Sequence, residues 1–225
     1  MTDYSNPLLA PLGTAQRPSW RGRLHHFSLY IFAPLFVALF LVASGTRARV
    51  AVVLYACGVC SMLTASTIYH RWVHSLRWRA WWQRADHAMI YAAIAGSFTP
   101  ICLFAAADRW SLPLLAFVWI GGFCGAAMKF TEWHHRRVVG GVLYIGLGWV
   151  IVLVLPALWQ AHGALPVVLI MIGGAFYTGG AIGLYRKRPR LVPAVFGYHE
   201  VWHACTVVAA AAHFAAVWVL VARST

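Results

Sequence analysis

The chain of 225 residues combines a very apolar composition with a large positive charge. Hydrophobic residues make up 61% of the chain and charged residues only 10%, whereas charged residues make up about 25% of a typical soluble domain. Eighteen lysines and arginines against five acids give a formal net charge of +13. The composition excludes an ordinary soluble domain and predicts a protein that crosses a membrane several times.

Seven stretches are long and apolar enough to cross a hydrocarbon core of about 30 Å, for which a helix needs roughly 17–25 residues. In chain order they lie near residues 27–43, 50–70, 85–105, 111–128, 139–158, 165–185 and 199–221. The sequence therefore predicts an all-α fold, a seven-transmembrane helix bundle that occupies residues 25–223. Residues 1–24 are predicted to form a short polar tail in the cytoplasm.

The basic residues are distributed unevenly between the two sides of the predicted bundle. Fourteen of the eighteen fall in the N-terminal tail and in the second, fourth and sixth loops, and the other side carries Arg47, Arg49, Arg109 and Arg223. Because positive charge stays in the cytoplasm, this pattern predicts an N-terminus inside and a C-terminus outside. The distribution favours membrane lipids over nucleic acid as partners, and a multi-pass location in the plasma membrane, which is the inner membrane of a bacterium.

The five acids divide into loop residues and residues at membrane depth. Asp3, Asp108 and Glu132 lie in the predicted tail and loops, whereas Asp86 and Glu200 lie at or within spans. An ionisable group at the centre of a membrane costs on the order of 2.5–3.5 kcal/mol and usually faces a polar interior. We therefore expect Asp86 and Glu200 to have partners inside the bundle.

The predicted topology brings a set of polar side chains to one level of the bundle. His70 ends the second span, Asp86 begins the third, and His199 and His203 begin the seventh, all at the cytoplasmic end. His199 and His203 are four residues apart and share one helix face, as do Ser66 and His70. These residues are the candidates for a site.

Three neutral imidazoles from two helices suit Zn²⁺, which binds nitrogen in a tetrahedron and leaves a fourth position to water. Zinc lowers the pKa of such a water to about 7, and Asp86 is expected to orient it and to take its proton. Ser66 is expected to hydrogen-bond the carboxylate, the water or a developing oxyanion. The alternatives are that Asp86 only caps the third helix and that Ser66 only bonds to the carbonyl four residues back.

Three further histidines lie near this level or along the same stripe. His25 and His26 precede the first span and are predicted to be interfacial. His213 lies fourteen residues after His199, deeper on the same helix face.

Residues 199–203 read HEVWH, which matches the H-E-x-x-H motif of zinc metalloproteases, in which the glutamate is the general base. An intramembrane metalloprotease of the site-2 type is therefore an alternative. Such proteases usually take a third ligand, an Asp, from a later segment, and no Asp or Glu follows His203. This absence disfavours the protease interpretation.

Three segments together resemble the hemolysin III branch of the progestin and adipoQ receptor superfamily, to which the adiponectin receptors belong. They are STIYH (66–70), RADHAMIYAAIAGSFTP (84–100) and GYHEVWHACTVVAAAAH (197–213). The resemblance implies a seven-helix bundle with an intramembrane zinc near the cytoplasmic side. The N-terminal stretch RLHHFSLYIFAP departs from the branch, so the roles of His25 and His26 stay open.

The resemblance also implies roles for individual residues. His70, His199 and His203 match the zinc ligands, Asp86 matches the aspartate that contacts the zinc-bound water, and Ser66 matches the family serine. Glu200 is expected to point away from the metal.

The superfamily is linked to hydrolysis of lipid amides, so the resemblance implies a zinc-dependent hydrolase of ceramide-like lipids at the cytoplasmic leaflet. One alternative is a receptor or regulator of membrane state in which zinc is structural. Another is a cytolytic pore of the hemolysin type. The outer half of the predicted bundle has few polar residues, such as Thr178 and His213, which disfavours a continuous aqueous channel.

Overall fold

The structure, a computed structural model, describes residues 18–105, 109–192 and 194–223 and is helical almost throughout them. Most of the predicted tail, residues 1–17, lies outside the described residues, as do Asp3 and Asp108. The helices are α1 (Arg23–Val42), α2 (Gly45–Thr67), α3 (Leu76–Phe104), α4 (Ser111–Met128), α5 (Arg137–Trp149), α6 (Leu155–His162), α7 (Ala164–Arg186) and α8 (Tyr198–Ala222). A π-helical turn, Ile68–Trp72, extends α2, and short 3₁₀ turns, Glu132–His135 and Val150–Leu153, precede α5 and α6.

The predicted spans are confirmed as apolar helices. Six of them are single helices of 18 to 28 residues, long enough to cross a membrane, and α5 and α6 form a pair bent by 46° in place of the predicted fifth span. Pro156, in the first turn of α6, has no N–H to continue the helical hydrogen bonding, so the helix breaks just before it. The protein is a multi-pass helical membrane bundle.

The bent pair contacts α3 at two well-separated positions. In α5, the Tyr144 hydroxyl donates to the carbonyl of His87, in the first half of α3, over 2.9 Å. At the end of α6, His162 Nε2 lies 3.3 Å from the carbonyl oxygen of Phe104, the last residue of α3. Arg223, just after α8, donates to the carbonyl of His162. The two contacts lie seventeen residues apart along α3, a rise of about 25 Å, which supports counting the pair as one broken span.

The connection from the second to the third span is shorter than predicted. We expected a loop from residue 71 to residue 84, but α3 already begins at Leu76. The Ser75 hydroxyl accepts a hydrogen bond from the backbone N–H of Trp78 at 3.3 Å and caps the helix. Residues 76–84, which are rich in arginine and tryptophan, thus form the first turns of α3, and Trp78 and Trp81 are exposed.

Two glycines let α2 and α3 approach each other closely. A Cβ on Gly58 would lie 2.5 Å from the carbonyl oxygen of Ala92 and 3.2 Å from the Cα of Gly96. Small residues at a helix crossing are typical of membrane bundles, where close backbone packing holds helices together. The crossing holds the middle of α2 against the second half of α3.

Aromatic side chains join α1 to both α2 and α8. The Phe36 ring centre lies 4.9 Å from that of Tyr55 on α2 and 5.3 Å from that of Phe214 on α8. Phe32 contacts Phe214 as well, edge to face. These buried contacts pack the middle of α1 against α2 and against α8.

Candidate metal centre

Three histidines converge at the end of the bundle where α2 ends and α8 begins. His70 lies in the π-helical turn, and His199 and His203 lie in the first two turns of α8. One ring nitrogen from each lies within 4.8 Å of the other two. His70 and His203 are buried, and His199 is partly buried. The structure thus brings together the three predicted ligands.

One distance within this group matches the spacing of ligands around a tetrahedral metal ion. His70 Nε2 and His199 Nε2 are 3.3 Å apart. Nitrogen ligands at 2.0–2.1 Å from a tetrahedral zinc lie about 3.3–3.4 Å from each other, which is close to that separation. His203 Nε2 is buried and makes no hydrogen bond within the described residues, and such an atom is costly without a partner. The group could therefore hold a metal ion.

A carboxylate lies beside the histidines. Asp86 Oδ2 is 4.0 Å from His70 Nε2. Asp86 lies almost three turns into α3, which begins at Leu76, so the alternative that it caps this helix is wrong. Asp86 therefore lies near the histidine group, but it is not one of the three residues whose ligand atoms group together.

Ser66, just before the π-helical turn, donates no hydrogen bond to a backbone carbonyl of the described residues. Ser66 Oγ is buried and makes no hydrogen bond of normal geometry to any residue that the structure describes, although the hydroxyl lies beside the Asp86 carboxyl. The neighbouring Thr67 does bond to the carbonyl four residues before it, because its Oγ1 donates to the carbonyl oxygen of Leu63 at 2.8 Å. The purely local alternative for Ser66 is therefore wrong.

Glu200 points away from the histidine group, as expected. Its Oε2 accepts a hydrogen bond from the backbone N–H of Gly197 at 2.9 Å, which caps α8. Its Oε1 forms an ion pair at 2.5 Å with Nε of Arg21, a residue just before the start of α1. Both carboxylate oxygens of Glu200 are thus engaged, which argues against the protease role of a general base.

His25 is buried, so the prediction of an interfacial residue is wrong. Its Nδ1 lies 3.0 Å from His203 Nδ1, and the two ring centres are 4.0 Å apart. The next residue, His26, is partly buried and contacts Tyr30 and Trp72 instead. The sequence contained a signal, a histidine at the start of the first span, but not the packing of α1 on α8 that brings it to the site.

His213 does not join the group, although it lies on the same helix. Its Nε2 is 3.1 Å from the carbonyl oxygen of Ile170 on α7. Its ring lies over Gly173, where a Cβ would overlap it, and next to the ring of Tyr177. His213 therefore packs α8 against α7, deeper in the bundle.

Comparison with known proteins assigns the chain to a family. The family model described as "Haemolysin-III related" matches residues 14–214, which include all the site residues named above. Hemolysin-3 of Bacillus cereus is 28% identical over 183 residues, which cover 80% of each chain. A hemolysin-3 homolog of Bacillus subtilis (strain 168) is 24% identical over 193 residues, 84% of this chain and 87% of that protein.

A human protein is similar as well. The monocyte to macrophage differentiation factor of Homo sapiens is 25% identical over 175 residues, 76% of this chain and 70% of that protein. With a family model that matches most of the chain and a bundle of the expected kind, this protein belongs to the hemolysin III family of multi-pass membrane proteins.

Proposed function

We propose that this protein is a zinc-dependent hydrolase of lipid amides, with His70, His199 and His203 as the zinc ligands. The observation that supports it best is the convergence of three imidazole nitrogens within 4.8 Å of one another, with a carboxylate oxygen 4.0 Å from one of them. When bound, zinc supplies a Lewis acid that polarises a carbonyl and activates water.

Asp86 is the group that handles the proton. Its Oδ2 lies beside the ligand set, where it takes a proton from the attacking water and returns it to the leaving amine. The Ser66 hydroxyl lies beside this carboxyl and is free to donate a hydrogen bond to it. That bond would hold the carboxylate in one orientation through the reaction.

The depth of the site favours a lipid substrate. Trp72 is two residues from His70 and is exposed, and Trp78 and Trp81 are exposed on the first turns of α3. Tryptophans gather at the headgroup level of membranes. The amide that joins a headgroup to an acyl chain in a ceramide-like lipid would meet the histidines at about this depth. The charge pattern predicts that this end faces the cytoplasm.

A structural zinc in a non-enzymatic receptor or regulator is the second candidate. α2 packs mainly on α3, and α8 packs mainly on α7. A metal held by His70 from one pair and His203 from the other would join the two pairs at one end. This arrangement supports a role in which zinc stabilises the bundle without turnover.

The first experiment measures metal in the purified protein by mass spectrometry. We expect about one zinc per chain in the wild type and loss of zinc in His203→Ala. His162→Ala is the control, because His162 lies at the opposite end of the bundle beside Phe104. Wild-type protein that takes up no zinc, even when zinc is supplied, would refute the proposed site.

The second experiment separates the hydrolase from the structural role. Purified protein in lipid vesicles is incubated with long-chain amides and esters, and released fatty acid is measured. Asp86→Asn should keep zinc and lose release by about 10²–10⁴-fold, the usual contribution of a general acid or base. The exposed Glu132 offers the control Glu132→Gln, which should be unaffected.

Each outcome has a defined meaning. Zinc without release in the wild type would favour the structural role, and loss of zinc in Asp86→Asn would make Asp86 a ligand. Leakage of a dye from the same vesicles, without fatty-acid release, would favour the cytolytic pore.

A further inference from the structure

We propose that His25 is a positioning residue of the metal centre, which holds His203 in the tautomer that binds metal. This inference rests on the proposed metal binding by the three histidines but not on hydrolysis. It concerns the first span, whose histidines the sequence comparison left without a role.

The contact between the two rings is short and buried. His25 Nδ1 and His203 Nδ1 are 3.0 Å apart, within the range of an N–H···N hydrogen bond. Both residues are only 3% exposed, so water does not compete for this contact. His25 is not one of the three residues whose ligand atoms group together, so it acts on His203 rather than on the metal.

The chemistry of imidazole assigns the direction of the bond. A neutral imidazole has one N–H and one lone pair, so one ring must donate here and the other accept. If His25 donated, His203 would carry its own proton on Nε2 and could not bind a metal through that atom. If His203 Nδ1 donates, its Nε2 keeps a free lone pair. Metal binding through Nε2 therefore requires His25 to be the acceptor.

His203 Nε2 is the atom that this bond leaves for the metal. It is buried and has no hydrogen-bond partner within the described residues, whereas the other ring nitrogen is engaged by His25. A ligating histidine generally donates its second N–H to a fixed acceptor, which sets the ring orientation and raises its basicity as a ligand. His25 is that acceptor for His203.

The surrounding contacts hold His25 in place. One turn earlier in the chain, Arg21 forms its ion pair with Glu200, which lies one turn from His203 on α8. Farther along α1, Phe32 and Phe36 pack on Phe214. Contacts on both sides of His25 thus hold the start of α1 against α8, which positions the backbone that carries the imidazole.

The test compares two substitutions of His25 in the purified full-length protein. His25→Asn places an amide oxygen, an acceptor, near the position of Nδ1, whereas His25→Leu fills a similar volume without an acceptor. Zinc affinity is measured by competition with a chromophoric chelator. We expect His25→Leu to bind zinc about 10–100-fold more weakly than the wild type, the usual effect of losing such a partner, and His25→Asn to recover most of the affinity.

A second readout reports the geometry directly. Cobalt replaces zinc in the purified protein, and its visible absorption reports the arrangement of the ligands. We expect the wild-type spectrum in His25→Asn and an altered spectrum in His25→Leu. His26→Ala is the control for the neighbouring ring, which contacts Tyr30 and Trp72, and should leave affinity and spectrum unchanged.

Different results would refute the metal site and the role of His25. Wild-type protein without zinc affinity would refute the site itself. Wild-type affinity in His25→Leu would refute the role of His25 alone, and so would equal weakening in His25→Asn and His25→Leu, because the acceptor would then not matter. If His25→Leu does not fold, His25→Ala replaces it in the same comparison.

Discussion

The side chains of the HEVWH segment show how one motif supports different chemistry according to its partners. His199 and His203 lie next to His70. Because they are four residues apart on α8, both rings lie on one face of the helix. Glu200, between them in sequence, is 1% exposed and bound to Arg21 and to the backbone of Gly197. The sequence of this segment matches a protease motif, but its glutamate stabilises the start of α8.

Substitution of Glu200 should therefore affect stability and not the chemistry of the site. Glu200→Ala removes a buried acceptor from Arg21 and from Gly197, so we expect a loss of about 1.5–3 kcal/mol in the free energy of unfolding, the usual range for a hydrogen bond to a charged group. Thermal unfolding in detergent measures it. Zinc content should stay at the wild-type level.

Arg21→Ala provides the matched partner for this prediction. Because the two residues share one interaction, the double variant should lose less than the sum of the single losses. A fall in amide hydrolysis by 10²-fold or more in Glu200→Gln, with zinc retained, would instead identify Glu200 as a general base and contradict our assignment.

At the scale of helices, two departures from regular geometry shape the site. The π-helical turn at the end of α2 carries His70, and such turns re-aim side chains and occur frequently at functional sites. The close crossing at Gly58 and Gly96 brings α2 against α3, so that His70 reaches the neighbourhood of Asp86. Neither departure is visible in hydropathy, which reports the apolar character of a segment and not its backbone geometry.

Gly58→Ala tests the importance of this crossing. The added Cβ would lie 2.5 Å from the Ala92 carbonyl oxygen, which is backbone and cannot turn aside, so the helices must separate. We expect a loss of about 1–3 kcal/mol in stability, typical of overpacking, and weaker zinc binding because His70 moves with α2. Thermal unfolding and chelator competition measure the two effects.

Gly141→Ala in α5 is the control for that substitution. A Cβ at Gly141 has no atom within 4 Å, and alanine favours a helix over glycine. Unchanged or slightly raised stability is expected there. Equal effects at both positions would show that the loss at Gly58 comes from the change of residue type and not from the helix crossing.

At the scale of the whole molecule, the bent pair of α5 and α6 decides on which side the chain ends. If the pair crosses the membrane, as the contacts of Tyr144 with α3 and of His162 with Phe104 indicate, the bundle has seven crossings. An odd number places the two termini on opposite sides. The charge pattern predicts the N-terminus inside, and hence the C-terminus outside.

Labelling with a membrane-impermeant maleimide in intact cells tests this topology. The five natural cysteines are first replaced by alanine, and single cysteines are introduced at exposed positions. We expect labelling of Arg109→Cys and of a cysteine added after Thr225, and none of Arg190→Cys, which lies in the loop between α7 and α8. If the pair were re-entrant, the last two results would be reversed.

Much of this protein was determined by its amino-acid sequence alone. Hydropathy located the spans, because a membrane core of fixed thickness requires apolar helices of a certain length. The spacing of His199 and His203 put both rings on one face of α8, because the helical repeat is a local property of the backbone. The order of the spans brought His70 and Asp86 to the same end of the bundle.

Only the tertiary structure decided which side chains meet across helices. It placed His25 against His203 and Arg21 against Glu200, because α1 packs on α8 through aromatic contacts between residues 178 positions apart. It also brought His70 Nε2, in the π-helical turn, to 4.0 Å from Asp86 Oδ2 on α3. Such features depend on the shapes of facing surfaces, which no local pattern of residues encodes, and they determine the surroundings of the proposed metal.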